Sequence, residues 1–504
     1  MKKIFLSTIL IGALTGSGCN KWLDVKPVAQ TTKDELFQTQ KGFRDALTGA
    51  YIHLKDNKAY GNSLMWGNIE YMARNWEVAS SSNVPLMNLA NANYTDATVR
   101  GWLDGSYEQL YKIVADANSI LEKIDAKQSI FTDNNYALIK GEALILRAFA
   151  HFDALRMYGP LPGAPGTTAV LPYVKAVSSQ IVEPVTFQQF VLEVIADLDA
   201  AEALLKTTDP LTKYSLTELN PPASSSLPPV LDDDFYMYRQ IRFNYYSALA
   251  LKARVYTWMG LTDEGNRANA AKYAQMVIDA KDRTGQPTFR LGRESDRASG
   301  DFTMSPEHIA ALHIYNLNDV ANGAFGETGS LMRYDLNVTD GYYYLNNLFP
   351  VSERGSDVRW LGMWAYKTTA NMTNYVAYKK YIQRPNENQR VLQVPLLRLS
   401  EMYLVLTEAA KTKEEAETWY RAFAAQKGVP FTTGFSTTGW ENDRKNKIIR
   451  EYVREFYAEG QTFYTYKRFN VTTLPASWTY TYYSATAARY LVPKPDREIN
   501  YHNN

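Results

Sequence analysis

The residues able to carry catalytic chemistry are few. The chain has five histidines, His53, His151, His308, His313 and His502, and a single cysteine, Cys19. No two histidines bracket a glutamate at the four-residue spacing of a zinc-protease helix. His308 and His313, five apart, would point to different faces of a helix. There is no Gly-x-Ser-x-Gly elbow and no phosphate loop. Glu451, Glu455 and Glu459 recur every four residues with Arg450 and Arg454 interleaved, the pattern of a solvated, ion-paired helix face rather than of a general acid beside its base. Asp232, Asp233 and Asp234 are adjacent but lack the alternating oxygen ligands and central glycine of a calcium loop. Distant carboxylates could still converge as a glycosidase pair, but no pair is marked. The sequence therefore assigns no catalytic residue, no metal ligand and no cofactor.

What the chain does carry in quantity is aromatic surface: 36 Tyr, 20 Phe and 10 Trp in 504 residues. A sugar ring has two faces of C–H groups and a rim of hydroxyls. It is held by stacking on Trp or Tyr while Asn, Asp or Arg satisfies the rim. Two stretches supply that mixture. The first contains Trp66, Tyr71, Trp76, Asn91, Asn93, Tyr94 and Trp102; the second contains Tyr334, Tyr342, Tyr343, Tyr344, Trp360, Trp364 and Tyr366. The expected ligand platform is Trp76, Trp102, Tyr94, Trp360 and Trp364, with Asn93 and Arg74 as polar partners. Three consecutive tyrosines at 342–344 cannot share one side of an extended segment.

These groups must be positioned by helices. Leu138, Gly141, Ile145, Ala148, Phe152 and Leu155 draw one apolar stripe that Gly159-Pro160 ends, and His151 within that segment reads as a packed histidine. Helical periodicity also runs over 43–54, 107–124, 187–205, 245–259, 268–280, 397–410, 414–425 and 447–464. Residues 245–280 form two helices about a turn at Gly260, with Ala270, Ala271 and Ala274 on the second. That is close to the roughly 34-residue unit of tetratricopeptide repeats. Residues 397–425 repeat the plan. The expected fold is mainly α, a tetratricopeptide-like helix-turn-helix scaffold with long loop-rich insertions near 60–105, 211–235 and 284–380. Segments of that length without periodicity usually serve function. With 54 Lys+Arg against 53 Asp+Glu, net charge gives no reason to expect a nucleic-acid partner.

The N-terminus explains the lone thiol. Lys2 and Lys3 precede an apolar run from Ile4 to Leu14, and Thr15-Gly16-Ser17-Gly18 leads directly into Cys19. This is the layout of a signal peptide, too short to span a bilayer, and its small-residue box resembles the bacterial lipoprotein signal. We expect residues 1–18 to be a signal peptide, Cys19 to be acylated, residues 19–32 to form a tether and 33–504 a single helical domain. No later apolar run approaches a membrane span, so the membrane is expected to hold the chain through its lipid.

Several segments together resemble the SusD/RagB family of outer-membrane nutrient-binding lipoproteins. They are Cys19 to Pro27; Gly141 to Phe152 with Leu155-Arg156-Met157-Tyr158-Gly159; Leu397 to Leu404; Ile448-Ile449-Arg450-Glu451 through Glu455 to Gly460, with Lys467-Arg468-Phe469; and Leu491 to Ile499. Tyr107 stands where the family often places a Trp. Arg147, Arg398 and Glu401, inside these segments, are expected to make structural ion pairs. The resemblance implies a SusD-like fold at the outer membrane, facing outward. It also implies a partnership with a SusC-like TonB-dependent porin, to which the chain would deliver oligosaccharide. A RagB-like oligopeptide binder is the alternative, and a lipid-anchored glycoside hydrolase or a scaffold bracing the porin are others.

Overall fold

The computed structural model describes residues 33–78, 83–221, 228–334, 344–369, 374–382, 391–475 and 482–501. The signal segment, Cys19, the tether, Tyr342, Tyr343 and His502 lie outside the described residues.

The scaffold is a run of helices packed side by side. In chain order these are α1 (Gln40–Leu54), α2 (Ala97–Ile124), α3 (Asn135–Tyr158), α4 (Phe187–Leu205), α5 (Tyr245–Met259), α6 (Glu264–Ile278), α7 (Leu317–Phe325), α8 (Leu399–Ala409), α9 (Lys413–Gln426), α10 (Trp440–Glu455) and α11 (Thr462–Phe469). Each of α1 to α5 packs on the next, α6 packs on α8, and α8 on α9. The apolar stripe of α3 lies fully inside, because α2 and α4 cover it from both sides. Gly141 marks the closest approach: a Cβ there would lie 2.6 Å from the Leu205 side chain of α4. Gly260, at φ 104°, makes the left-handed turn between α5 and α6. The helix-turn-helix plan of the sequence is thus the plan of the fold.

Three expectations change. The periodicity over 447–464 is two helices, not one. Residue Ala458 (φ 62°) and Gly460 (φ 70°) both adopt left-handed conformations between α10 and α11. The Gly460 N–H donates to Glu70 Oε1 at 2.8 Å, and a Cβ there would sit 2.0 Å from the Leu64 carbonyl. The insertions are also not simply loops. Strands β1 (Ala169–Pro172) and β2 (Pro184–Thr186) precede the 284–380 insertion, which itself contains β3 (His308–His313), β4 (Met332–Tyr334), β5 (Trp364–Tyr366) and β6 (Tyr375–Tyr378), and β7 (Gln393–Arg398), β8 (Thr473–Pro475) and β9 (Tyr482–Ser484) follow it. Antiparallel pairing joins β1 to β2, β3 to β7 and β8 to β9, and orders a third sheet β4-β6-β5. His308 and His313 therefore lie on a strand, His308 buried and His313 exposed.

The glutamates at 451, 455 and 459 are not a solvated face; all three are buried. Glu455 meets Arg398 at 2.5 Å, Lys427 at 3.1 Å and Arg359 at 3.3 Å. Glu451 meets Arg359 at 2.6 Å and Arg454 at 3.3 Å and accepts from the Tyr420 hydroxyl at 2.8 Å. Glu459 pairs with Lys380 and Arg398, Glu307 with Lys427 and Arg398, and Asp357 with Arg359. Five carboxylates face five cations, Arg359, Lys380, Arg398, Lys427 and Arg454, so the buried charge closes to zero. The partners of α10 come from segments up to 106 residues away in sequence, which the helical period of α10 alone does not reveal. Arg147 and Glu401 behave as expected, paired with Asp197 at 2.5 Å and Arg254 at 2.7 Å.

His151 is a packed histidine. Its Nε2 accepts from the Val174 N–H at 3.0 Å, so Nδ1 carries the proton it donates to the Arg147 carbonyl at 3.0 Å. Tyr173 stacks on the ring at 4.0 Å. Burial, with Arg147 close by, pushes its pKa down to about 3.

Breaking a buried charge pair leaves its partner uncompensated and costs about 3–5 kcal/mol. Glu455→Gln is expected to lose that much in urea unfolding at pH 7. Lys467 gives a pH-dependent counterpart. Buried and donating to the Met157 and Gly159 carbonyls at the end of α3, it is pulled by burial down to about 7. The unfolded chain keeps this proton up to about pH 10.4. Between the two values the unfolded state binds more protons, so stability contributed at this site rises with pH. The unfolding free energy of the parent chain relative to Lys467→Met should therefore increase by about 1–3 kcal/mol between pH 7 and 9.5.

Candidate functional site: an aromatic face on a three-stranded sheet

The sheet β4-β6-β5 brings the two aromatic stretches together. Register places Tyr334 opposite Tyr375, and Trp364 opposite Tyr378. Because side chains alternate, Trp364, Tyr366, Val376 and Tyr378 share one face, with Arg333 further along it, while Tyr334 and Tyr375 share the other. The first stretch joins at the β4 edge, where the Glu77 N–H donates to the Met332 carbonyl at 2.9 Å and Arg333 donates to the Arg74 carbonyl at 2.5 Å.

At the β5 end, Trp360 and Trp364 stack with centroids 6.4 Å apart and planes 26° from parallel. Phe349 lies 5.5 Å from Trp360, and the Arg354 guanidinium lies 4.0 Å over the Trp360 ring. Trp364 reaches Tyr378 at 4.6 Å and Tyr457 at 5.0 Å. Both tryptophans are half-buried, and Tyr366, two residues along β5, is 43% exposed. This is a rigid base with rings at its surface. Tyr457, in the segment that carries the buried carboxylates, is the base's inner support.

At the β4 end, Arg74 is left-handed at φ 60°, a conformation that costs a non-glycine residue energy unless its surroundings hold it. Those surroundings are hydrogen bonds: its guanidinium donates to the Pro475 carbonyl at 2.6 Å, the Ala90 carbonyl at 3.1 Å and Asn91 Oδ1 at 2.9 Å. Arg489 donates to the Met72 and Ala90 carbonyls at 2.6 and 2.7 Å. The Tyr483 ring of β9 lies against both, 4.6 Å from Arg74 and 5.5 Å from Arg489. Tyr94 donates its hydroxyl to the Arg489 carbonyl at 2.6 Å. Arg333 approaches Glu77 at 3.4 Å. Burial, with Arg489 and Arg333 nearby, pulls the Arg74 guanidinium down to about 10, and burial likewise lowers Arg489.

The expected platform is thus partly redrawn. Trp76 is 1% exposed, its indole N–H donating to the Trp66 carbonyl at 2.7 Å and its ring set edge-on between Phe325 and Tyr457. It is core, the support beneath the face. Trp102 lies in the first turns of α2 rather than in a loop, and like Tyr94, Trp360 and Trp364 it is half-buried against the core. Arg74 holds backbone carbonyls together. Asn93 is exposed, bridging Asn88 and Thr95. Of the expected platform, Tyr94, Trp102, Trp360 and Trp364 are thus half-buried and Trp76 alone of the rings is fully inside. The sequence reading missed Arg333, Glu77, Tyr375, Tyr483 and Arg489. Only the tyrosine-rich β9 segment carried a signal, and it lies far from the other stretches along the chain. Asp233, from the acidic triplet, pairs with Arg44 at 2.5 Å. Among the described residues, no group of three or more His, Cys, Asp or Glu could hold a metal ion.

Comparison with known proteins agrees with this architecture. Residues 21–220 match a SusD-like family model described as starch-binding associating with outer membrane. Over those residues the chain is similar to the SusD-like family. SusD-like protein P38 of Formosa agariphila is 29% identical over 218 residues, 43% of this chain, and SusD-like protein P25 of the same organism is 26% identical over 148 residues, 29% of this chain. These matches span 39% and 28% of the relatives' own lengths. Among solved structures, a SusD superfamily protein from Bacteroides thetaiotaomicron superposes with TM-score 0.67 at 20% identity, covering 92% of this chain and 98% of that one. A putative sugar binding protein from Bacteroides vulgatus gives 0.65 at 19%, covering 92% and 96%. Surface glycan-binding protein A from B. thetaiotaomicron gives 0.61 at 16%, covering 93% and 98%. At these identities the likeness is one of fold alone. No helix among the described residues is long and apolar enough to cross a membrane.

The placement of Trp76 has a direct consequence. Trp76→Ala should lower stability by about 3–5 kcal/mol, the cost of emptying a buried aromatic site, whereas Tyr366→Ala, on the exposed strand, should change it by less than about 0.5 kcal/mol. Chemical unfolding of both variants checks this.

Proposed function

We propose that this chain is a non-catalytic, surface-anchored glycan-binding lipoprotein, acylated at Cys19, which captures oligosaccharide on the aromatic face and passes it to a SusC-like TonB-dependent porin. The observation that carries the reading is the stacked Trp360–Trp364 pair, with Tyr366 exposed on the same strand. Near-parallel indoles on a rigid sheet suit the flat apolar faces of pyranose rings, and Arg354 at the Trp360 ring supplies a donor for ring hydroxyls. Between β4 and β5 the sheet measures about 10 Å, so Tyr94, Asn91 and Asn93 beyond its β4 edge add polar contacts for further sugar units.

The family description of starch binding, and the sugar- and glycan-binding names carried by solved structures of the same fold, favour a carbohydrate over a peptide. The mechanism is binding without bond cleavage: several weak contacts, each individually reversible, give capture that can be released to a partner. On this reading the buried carboxylates of α10 serve structure, since each is already matched by a cation.

The test is calorimetric titration of the purified chain with a panel of oligosaccharides and peptides, with product analysis of every mixture. Saturable binding of one glycan class with the ligand recovered intact is the expected result. Trp360→Ala and Tyr366→Ala should each weaken that binding about tenfold, the factor that 1.4 kcal/mol represents. Cleaved products, binding of peptides alone, or affinities unchanged in both variants would overturn the proposal.

A further inference from the structure

A cavity of about 580 Å³ shares no lining residue with the aromatic face. Its size falls in the range of small-molecule sites, about 300–1,000 Å³. Five separate segments build it: the short helix Leu216–Leu219 with its cap Ser215, the turn at Arg239–Ile241, the hairpin around Asp282–Gln286, the segment leading into β3, and the start of β7. No Trp, Tyr or Phe lines it. Its polar walls are amides and hydroxyls, among them Ser215, Asn220, Thr288 and Ser305, with Gln240 and Gln393 at the floor. One Asp282 and one Arg290 supply opposite charges, so the lining favours a neutral ligand.

The hydrogen bonding of the floor is more specific. Gln240 is buried, and its amide nitrogen donates to the Ser305 carbonyl at 2.7 Å and the His308 carbonyl at 3.0 Å. Both of its protons are spent, so the Gln240 Oε1 is fixed as an acceptor. His308 Nε2 lies 2.9 Å from the Thr303 carbonyl, which can only accept, so that nitrogen carries a proton. Burial pulls the His308 pKa down, opposed by Asp301 and reinforced by Arg398. The ring is then neutral and Nδ1 must accept. Its partner, 2.8 Å away, is the Gln393 amide, which therefore turns its NH₂ toward Nδ1, an orientation that the network rather than the atom positions decides. The other end of that amide, now its oxygen, stands 3.5 Å from Gln240 Oε1. Two acceptors thus face each other at the cavity floor, and among the described residues no donor lies between them. Gln240 is buried and Gln393 half-buried, and two acceptor oxygens set this close repel each other at a cost in energy. A donor arriving from the cavity removes that cost.

We propose that this cavity is a second binding site, separate from the aromatic face, for a small neutral polyol of mono- or disaccharide size, one hydroxyl of which donates between Gln240 and Gln393. The remaining hydroxyls find the amides and hydroxyls of the walls. Specificity here comes from hydrogen bonding, with none of the ring stacking of the aromatic face. The two sites therefore differ in what they read: the face reads ring planes along a chain, the cavity the hydroxyl pattern of a short sugar.

The test titrates the full chain with maltose, cellobiose and lactose, all in a Trp360→Ala background that weakens the aromatic face, and follows amide hydrogen exchange. The expected result is saturable binding of at least one disaccharide, with new protection confined to 215–220, 239–241, 286–288 and 391–393. Gln393→Leu, which removes one of the two facing acceptors, should weaken that binding at least tenfold. Gln286→Trp, at the exposed rim, should do the same by closing the mouth, and keeps the test decisive should Gln393→Leu fold poorly. Absence of saturation with all three sugars, protection elsewhere, or affinities within twofold in Gln286→Trp would overturn the proposal. Loss of chain-length oligosaccharide binding at the aromatic face would leave these readouts unaffected, so the two readings fail separately.

Discussion

Ten charged side chains with almost no access to water hold the C-terminal half of this protein together. Glu307, Asp357, Glu451, Glu455 and Glu459 are matched against Arg359, Lys380, Arg398, Lys427 and Arg454. Burying a lone ion costs several kcal/mol, and mutual attraction offsets this only when geometry is good and the remaining valences are filled. The carboxylates gain neutral partners as well: Tyr420 donates to Glu451, and the Ser400 hydroxyl stands between Glu307 and Glu455. Such a set tolerates one arrangement of its backbone donors. It therefore fixes β3, β7, the Asp357–Arg359 turn and the end of α10 relative to one another.

The aromatic face inherits its rigidity from that arrangement. Tyr457 follows the carboxylates of α10 directly, donates its hydroxyl to the Asn75 carbonyl, and packs edge-on against Trp76, Trp364 and Tyr378. One ring thus ties the ion network, the first aromatic stretch and the strand bearing the exposed Tyr366. A surface that captures ligand by several weak contacts gains most when its rings are held before the ligand arrives, because little ordering remains to oppose binding. The left-handed Arg74 and its carbonyl partners do the same for the other end of the sheet.

Much of the scaffold was legible because its signals are local. The stripe from Leu138 to Leu155, the stop at Gly159-Pro160, the turn at Gly260 and the helices at 187–205 and 245–259 all appear as read. What failed was whatever depended on distant partners. Glu451, Glu455 and Glu459 have the spacing of a surface face, and only Arg359, Arg398 and Lys427 reveal that they are buried. Trp76 sits among Asn, Ser and Arg in sequence, yet Trp66, Phe325 and Tyr457 enclose it. The short strands of the insertions are too brief for an alternation to show, so the sheet that unites Trp364 with Arg74 had no sequence signature. Trp360 and Trp364 were visible as candidates because they fall in an aromatic-rich stretch without helical period, but their stacking depends on β5 and its turn.

A crystal structure of the chain soaked with the oligosaccharide it binds in solution tests the central claim most directly. The account predicts an intact glycan with at least one pyranose face in van der Waals contact with Trp360, Trp364 or Tyr366, and its hydroxyls reaching Arg354 or the Tyr94–Asn91 side. A glycan bound only elsewhere on the molecule, or found cleaved, would contradict it.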